Sequence, residues 1–196
     1  MAKKKYVKDY ELHEHFDEKG HVHSTYRYRA DFYEFVLPPA EVLRSALKTL
    51  PVLAVGIIGY LAATLMPMTV LMHRFYVSLP MVLCAIPLVR LSSLMIMTAG
   101  KAREVMRTKA GMEHRHADKL ENSYPAGCAL QILFSMIALI GSVIVLCTER
   151  PVTGGNWNYR DTIVCISIAA ELFCGIRMMQ LRGNFRTRAC EHTEKN

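Results

Sequence analysis

Two ionisable residues stand inside stretches that are otherwise apolar and long enough to cross a membrane. Arg90 interrupts residues 76–100, and Glu171 lies near the middle of residues 161–181. Charged groups at such positions are costly and usually pair with one another inside a bundle or face a water-filled cavity. Arg90 lies only about 4 Å past the middle of its segment at 1.5 Å per residue, so the two depths nearly match. The sequence therefore predicts an Arg90–Glu171 ion pair between the second and fourth spans.

This predicted pair is compatible with two roles. A buried ion pair can lock helix packing and register, and it can also belong to a substrate or proton pathway. Pro87 precedes Arg90 by three residues, and a proline there leaves the carbonyl of Leu83 without its helical donor. We therefore expect a kink in the second span close to Arg90. The structural role is the leading interpretation, and transport is the alternative.

A second set of residues with potential chemistry is rich in histidine and lies in the N-terminal arm. It comprises His13, His15, His21 and His23, arranged as two His-x-His pairs. Imidazoles on neighbouring strands can share zinc, copper or nickel. Neither a cysteine nor a clear acidic partner for an imidazole completes a tetrahedral site here, so a solvated face is the leading interpretation. We expect no cofactor, and zinc or copper bound by these histidines is the alternative.

Other constellations that would support catalysis do not occur in the sequence. No loop holds a nucleophile with a neighbouring base, a glycine-rich phosphate loop or a carboxylate pair. Five of the six cysteines fall inside the apolar stretches and none forms a Cys-x-x-Cys motif, which argues against a thiol oxidoreductase. We therefore expect a protein that is not an enzyme.

The elements that must position these residues are four apolar stretches. Residues 49–72 and 124–148 carry no charge over 24 and 25 residues, which exceeds the roughly 20 that cross a bilayer's hydrocarbon core. Small residues predict close helix contacts, and they are Gly56, Gly59, Ala63, Ser135, Ala138, Ser142, Ser167, Ala170 and Gly175. We predict an all-α membrane protein, a four-transmembrane-helix bundle with an N-terminal cytoplasmic β-hairpin and a short interfacial amphipathic helix.

Basic residues are distributed unevenly between the two sides of the predicted spans. With Arg90 counted as intramembrane, 20 Lys and Arg residues fall on the side of both termini and 3 on the other side. Loops rich in these residues stay cytoplasmic, which predicts a multi-pass protein of the inner or plasma membrane with both termini in the cytoplasm. Attraction to anionic lipid headgroups accounts for the net charge of +7, so we do not expect nucleic acid as a partner.

The N-terminal arm predicts a β-hairpin, because residues 6–35 alternate in the period of two that is typical of strands. A turn at residues 17–20 would place Asp17 opposite His21, so the residue numbers of every cross-strand pair sum to 38. This register pairs Asp9 with Arg29 and Glu11 with Arg27. Such opposite-charge pairs contribute about 0.2–1 kcal/mol each, which supports the register.

One face of this hairpin is apolar, and we call it the aromatic face. Its members are Tyr6, Tyr10, Leu12, Phe16, Val22, Tyr26, Tyr28 and Phe32. Two strands alone are marginally stable in water, so something should cover this face. The candidates are the lipid headgroup layer, the cytoplasmic extension after the second span, and another polypeptide. We predict that the aromatic face is a docking surface.

The remaining segments complete the predicted organisation. After the arm of residues 1–37, residues 38–50 place Val42, Leu43, Ala46, Leu47 and Leu50 on one face, which predicts a short interfacial helix before Pro51 redirects the chain. The membrane domain covers residues 51–182, with spans at about 51–72, 76–100, 124–148 and 161–181. Residues 183–196 are expected to form a cytoplasmic tail.

These features predict a non-enzymatic membrane subunit or scaffold that docks a partner through its cytoplasmic hairpin. The expected partners are the lipid bilayer and either another protein or further copies of this chain. One alternative is a small transporter or ion-translocating protein that uses Arg90 and Glu171. A metal-handling protein that uses the hairpin histidines is the other.

Overall fold

The computed structural model describes residues 10–16, 22–28, 32–66, 69–109, 111–148 and 159–190. Several sequence predictions fall outside these ranges, namely the turn at residues 17–20, the Asp9–Arg29 pair, and the positions of Tyr6 and His21. Within the described ranges, four helices are long and apolar enough to cross a membrane. The predicted set of four apolar helices is therefore confirmed.

The first long helix, α1 (Pro39–Thr64), corrects one prediction, because it is continuous. We expected a separate short helix over residues 38–50 that ended at Pro51, yet Pro51 lies inside α1. An internal proline removes one hydrogen bond of the helical ladder and need not end a helix whose other bonds and packing persist. Val42 and Ala46 are buried whereas Leu47 and Leu50 are exposed, so the expected apolar face is also divided.

The second long helix is interrupted, as Pro87 predicts. It consists of α2 (Phe75–Leu83) and α3 (Ala85–Thr108), with Cys84 between them. The Cys84 N–H donates to the carbonyls of Pro80 and Met81 at 3.1 and 3.2 Å. These two bonds keep Cys84 in a helical turn. The bond that is missing is the one from residue 87 to the Leu83 carbonyl, because Pro87 has no N–H.

The third and fourth long helices complete the bundle. A short helix α4 (His114–Asp118) continues through a π-helical turn at Lys119–Ser123 into α5 (Tyr124–Thr148). Helix α6 (Tyr159–Gln180) follows and ends in a 3₁₀ turn at Leu181–Phe185. Both α3 and α6 pack against α1 and α5, and α2 packs mainly against α5. The second and fourth spans consequently lie diagonally across the bundle, with the first and third spans between them.

A close helix approach joins α1 to α6. A Cβ atom placed on Gly59 would lie 3.0 Å from the carbonyl oxygen of Ser167 and 3.4 Å from the Cβ of Ala170. At Gly56 the same atom would lie 2.9 Å from the sulfur of Cys174. The sequence prediction that small residues mark close contacts is therefore confirmed at Gly59, Ser167 and Ala170.

The N-terminal arm forms the predicted hairpin from β1 (Tyr10–Phe16) and β2 (Val22–Tyr28). The strands are antiparallel and all their paired residue numbers sum to 38, from Tyr10 opposite Tyr28 to Phe16 opposite Val22. Glu11 is opposite Arg27, as predicted from their charges. Local charge and turn chemistry therefore identified the register correctly.

A second, three-stranded sheet was not predicted. It consists of β3 (Phe32–Phe35), β4 (Met112–Glu113) and β5 (Thr187–Ala189), with β3 in the centre and both partners antiparallel to it. Phe32 pairs with Glu113 in this sheet, which corrects its assignment to the hairpin's aromatic face. The sheet joins the N-terminal arm, the loop between α3 and α4, and the segment after α6 at one end of the bundle.

Side chains stabilise this sheet on both of its edges. The Nε of Arg188 donates to Oε1 of Glu34 at 2.7 Å between cross-strand partners. The ring of Tyr33 stacks on His114 with 5.4 Å between the ring centroids. Phe35 and Met112 are buried, so the sheet closes the end of the apolar core.

Replacing Gly59 by alanine tests the close packing of α1 on α6. The new methyl group must push the helices apart by a few tenths of an ångström, and overpacking of this kind costs about 1–3 kcal/mol. Gly100→Ala is the matched control, because nothing lies within 4 Å of a Cβ at that position, and alanine gains up to about 1 kcal/mol over glycine in a helix. The midpoint temperature of unfolding in detergent should therefore decrease for Gly59→Ala and should stay the same or increase for Gly100→Ala. Equal shifts would contradict the described packing.

Candidate functional site

The centre of the bundle holds a polar pair formed by Glu171 on α6 and Gln131 on α5. Both residues have 0 % exposure. The Nε2 of Gln131 donates to Oε2 of Glu171 at 3.3 Å. Oε1 of Glu171 and Oε1 of Gln131 are buried and have no hydrogen-bond partner among the described residues. Within the described part of the chain, one acceptor oxygen on each side chain of this buried pair therefore has no donor.

Two further polar side chains lie beside this pair. Cys84, at the break between α2 and α3, places its sulfur 3.7 Å from Oγ of Ser135 on α5. The Cys84 thiol also lies beside the Glu171 carboxyl group. Ser135 and Cys84 are both fully buried. We call Glu171, Gln131, Cys84 and Ser135 the central polar cluster.

The chemistry available to the central polar cluster is the binding of a proton or a small cation. An ionised carboxylate is strongly disfavoured in an apolar interior unless a partner compensates its charge. A proton on Glu171 would neutralise the carboxyl group and supply a donor for an oxygen that lacks one. The cluster contains no pair of a nucleophile and a base, so it does not indicate a covalent reaction.

Arg90 does not belong to the cluster, and the predicted ion pair with Glu171 is not formed in the structure. Arg90 is exposed on the outer face of α3, whereas Leu88, Leu91 and Met95 form the buried face of that helix. The physical reason is twofold: α3 lies diagonally opposite α6, and Arg90 is rotated away from the bundle axis. The sequence predicted similar depths, but it could not show rotation about the helix axis, and in the structure Cys84, six residues before Arg90, is the residue of that span beside Glu171.

Gln131 was missed by the sequence analysis although it is the direct partner of Glu171. A signal was present, since Gln131 is a polar amide in a stretch that carries no charge over residues 124–148. The prediction considered only ionisable residues inside the apolar segments, and Gln131 is uncharged. In an apolar medium an uncharged amide is also expensive to leave without a partner.

The hairpin is the second candidate site. The structure shows it as a separate two-stranded sheet, so neither of its outer edges carries another strand within the described ranges. Leu12, a member of the aromatic face, is 47 % exposed. The extension after the second span, one candidate to cover this face, pairs with β3 instead. The aromatic face therefore remains accessible at Leu12.

The metal-binding alternative remains a prediction. His15 lies opposite His23 and His13 opposite Thr25 in the backbone register, but the side chains of these histidines and all of His21 lie outside the described part of the chain. No group of three metal-ligating side chains occurs among the described residues. His116, in the segment ahead of α5, is 5 % exposed. Burial, together with the charges of Lys101 and Lys119, lowers the pKa of His116 to about 4.

Comparisons with protein-family models, curated proteins and solved structures returned no match to this chain. Functional inference therefore depends on the residues and their geometry.

A double-mutant cycle tests the bond between Gln131 and Glu171. Gln131→Leu or Glu171→Leu alone leaves a buried polar partner unsatisfied, which costs about 1–3 kcal/mol, whereas replacing both can be nearly neutral. In thermal or denaturant unfolding in detergent, the double variant should therefore lose less free energy of unfolding than the two single variants lose together.

The control cycle combines Gln131→Leu with Thr98→Val. Thr98 donates to the Leu94 carbonyl of its own helix at 2.7 Å, so these two changes should add. Additive losses in both cycles would show that Gln131 and Glu171 are not coupled.

Proposed function

We propose that this protein is a non-enzymatic membrane subunit or scaffold that docks a protein partner through its N-terminal hairpin. It would lie in the inner or plasma membrane as a four-span protein with both termini in the cytoplasm. The observation that carries the docking proposal is the hairpin itself, a two-stranded sheet with an exposed Leu12 on its aromatic face and with no further strand on its edges among the residues that the structure describes. An extended segment of a partner can add to such an edge, while side chains on one face supply specificity.

The second sheet supports the topology of this proposal. Strands β3, β4 and β5 bring the N-terminal arm, the middle loop and the segment after α6 to the same end of the bundle. These are the three segments in which the sequence concentrates its basic residues, 20 against 3. The positive-inside rule then favours this end as the cytoplasmic one.

Placing negative charge on one face of the hairpin tests docking with the full-length chain. Leu12→Glu with Tyr26→Glu changes two cross-strand partners of the aromatic face. His13→Glu with Thr25→Glu makes the same change on the opposite face and is the matched control. Like charges directly opposite each other destabilise both hairpins by similar amounts, so only a face-specific contact separates the two variants.

The measurement is quantitative mass spectrometry of proteins that co-purify from the native membrane. We expect the aromatic-face variant to lose at least about tenfold in partner recovery, equivalent to about 1.4 kcal/mol, while the control retains the partner. Equal recovery of every co-purifying protein with wild type, aromatic-face variant and control would contradict the docking proposal.

A second candidate function is ion translocation, and the central polar cluster favours it. Intramembrane carboxyl groups mark proton relays in pumps and transporters, and Glu171 has an acceptor oxygen without a partner in the described structure. In this case Arg90 would not contribute through an ion pair with Glu171. The carboxyl group and the Gln131 amide would carry the function.

Proton flux into liposomes containing the purified protein tests this second candidate. Glu171→Gln keeps the side-chain shape but removes the titratable group, so it should abolish flux driven by a pH gradient. Arg177→Gln is the control, because Arg177 is exposed on the same helix and bonds Gln180. Absence of flux with the wild-type protein, or undiminished flux with Glu171→Gln, would remove this candidate and leave the scaffold proposal untouched.

A further inference from the structure

Two adjoining grooves run along the outer surface of α3, and they differ in chemistry. The first has a volume of about 290 Å³ and is lined by two cations, Arg90 and Lys119, and two hydroxyl groups, Ser93 and Ser123. The second has a volume of about 580 Å³ and is lined mainly by apolar residues of α1 and α3, including Ile57, Leu61 and Ile96. Val89, Ser93 and Met97 line both grooves. A cationic groove therefore continues into an apolar one.

The cations of the first groove have no anionic partner in the described part of the chain. Neither Arg90 nor Lys119 forms an ion pair with an acidic residue there, since the described ion pairs join other residues. An arginine in a membrane-length segment normally finds a counter-ion or reaches the interface. Arg90, which was predicted to pair with Glu171, is therefore available to bind an external anion.

The grooves also have a defined direction along the bundle. Leu91 packs at the level of Gly127, and Lys119 lies eight residues nearer the end that carries β3, β4 and β5, which is about 12 Å at the helical rise. The apolar groove uses Ile57 and Leu61 from the second half of α1, and α1 runs away from that sheet. The cationic groove therefore extends toward the sheet end through Lys119, whereas the apolar groove extends the other way through Ala85 and Leu88. Between these ends the two grooves lie side by side along α3, from Val89 to Met97.

We propose that these grooves bind one anionic phospholipid from the leaflet at the sheet end of the bundle. The phosphate lies between Arg90 and Lys119 and accepts hydrogen bonds from the serine hydroxyls. One acyl chain lies along the apolar groove beyond Val89 and Met97. Basic pockets between membrane helices recognise anionic headgroups in this way. The inference requires a membrane-spanning bundle but is independent of the hairpin's partner.

A lipid fits these observations better than a soluble phosphate does. Free phosphate would satisfy the two cations but would leave the apolar groove unfilled. A lipid matches both, because its charge and its chain are covalently joined and the two grooves adjoin at Val89, Ser93 and Met97. Ile96, in the apolar groove, is 64 % exposed in the chain alone, and an acyl chain would cover it.

Native mass spectrometry of the full-length protein in a neutral detergent tests the site. We compare phosphatidylglycerol with phosphatidylcholine of identical chains, and use soluble glycerol phosphate as the competitor that carries the headgroup alone. Wild type should retain phosphatidylglycerol at least about tenfold better than phosphatidylcholine, because only the former carries a net charge for Arg90 and Lys119. Glycerol phosphate should not displace it.

The decisive variant is Arg90→Gln with Lys119→Gln, which should lose this preference. Arg103→Gln with Arg107→Gln removes the same charge from exposed positions further along α3 and should retain it. Val89→Trp is a second variant that fills the point where the grooves meet; Val89 is 68 % exposed, so the fold should tolerate it while lipid retention falls.

Three results would overturn the proposal. The first is an unchanged preference in Arg90→Gln with Lys119→Gln, and the second is an equal loss in the control. The third is full displacement by glycerol phosphate, which would indicate a phosphate site without a lipid chain.

Discussion

The constraint that shapes this protein is the satisfaction of polar groups inside helices that are long and apolar enough to cross a membrane. Lipid offers no hydrogen bonds, so each polar group within such a helix must find its partner in the protein. Thr98 donates to the Leu94 carbonyl at 2.7 Å and Ser142 to the Ala138 carbonyl at 2.8 Å. The hydroxyl of Tyr124 donates to the carbonyl of Met178 on the neighbouring helix. Among the described residues of these helices, one oxygen each of Glu171 and Gln131 has no hydrogen-bond partner, and the same holds for Oγ of Ser92 and Oδ1 of Asp161. Glu171 and Gln131 differ from the other two because they are in direct contact.

Sequence reasoning succeeded where a property depends on local order along the chain. The length of the apolar segments predicted the four helices, and Pro87 predicted the interruption near Cys84. The charge of Glu11 and Arg27, with the turn position, predicted the register of the hairpin. Small residues predicted the approach of α1 to α6 at Gly59. Each of these signals involves either neighbouring residues or a composition that a single segment carries.

Sequence reasoning failed where a property depends on the arrangement of segments around one another. Similar predicted depths for Arg90 and Glu171 do not determine which helices are neighbours or which way a side chain points around its axis. The three-stranded sheet escaped because its strands are two to four residues long and too short to show an alternating pattern. The predicted helix end at Pro51 was wrong for a related reason, because packing along α1 outweighed one lost hydrogen bond.

The three-stranded sheet also has a consequence for the order in which the protein can be completed. Its central strand β3 is made early in synthesis, and Glu34 meets Arg188 only across a sequence separation of 154 residues. The edge of β3 that receives β5 therefore stays open while all four long helices are synthesised. Contacts that span so much of the chain are slow to form, and unpaired strand edges are prone to wrong pairing in the interval. The end of the bundle richest in basic residues is thus the last to become a closed unit.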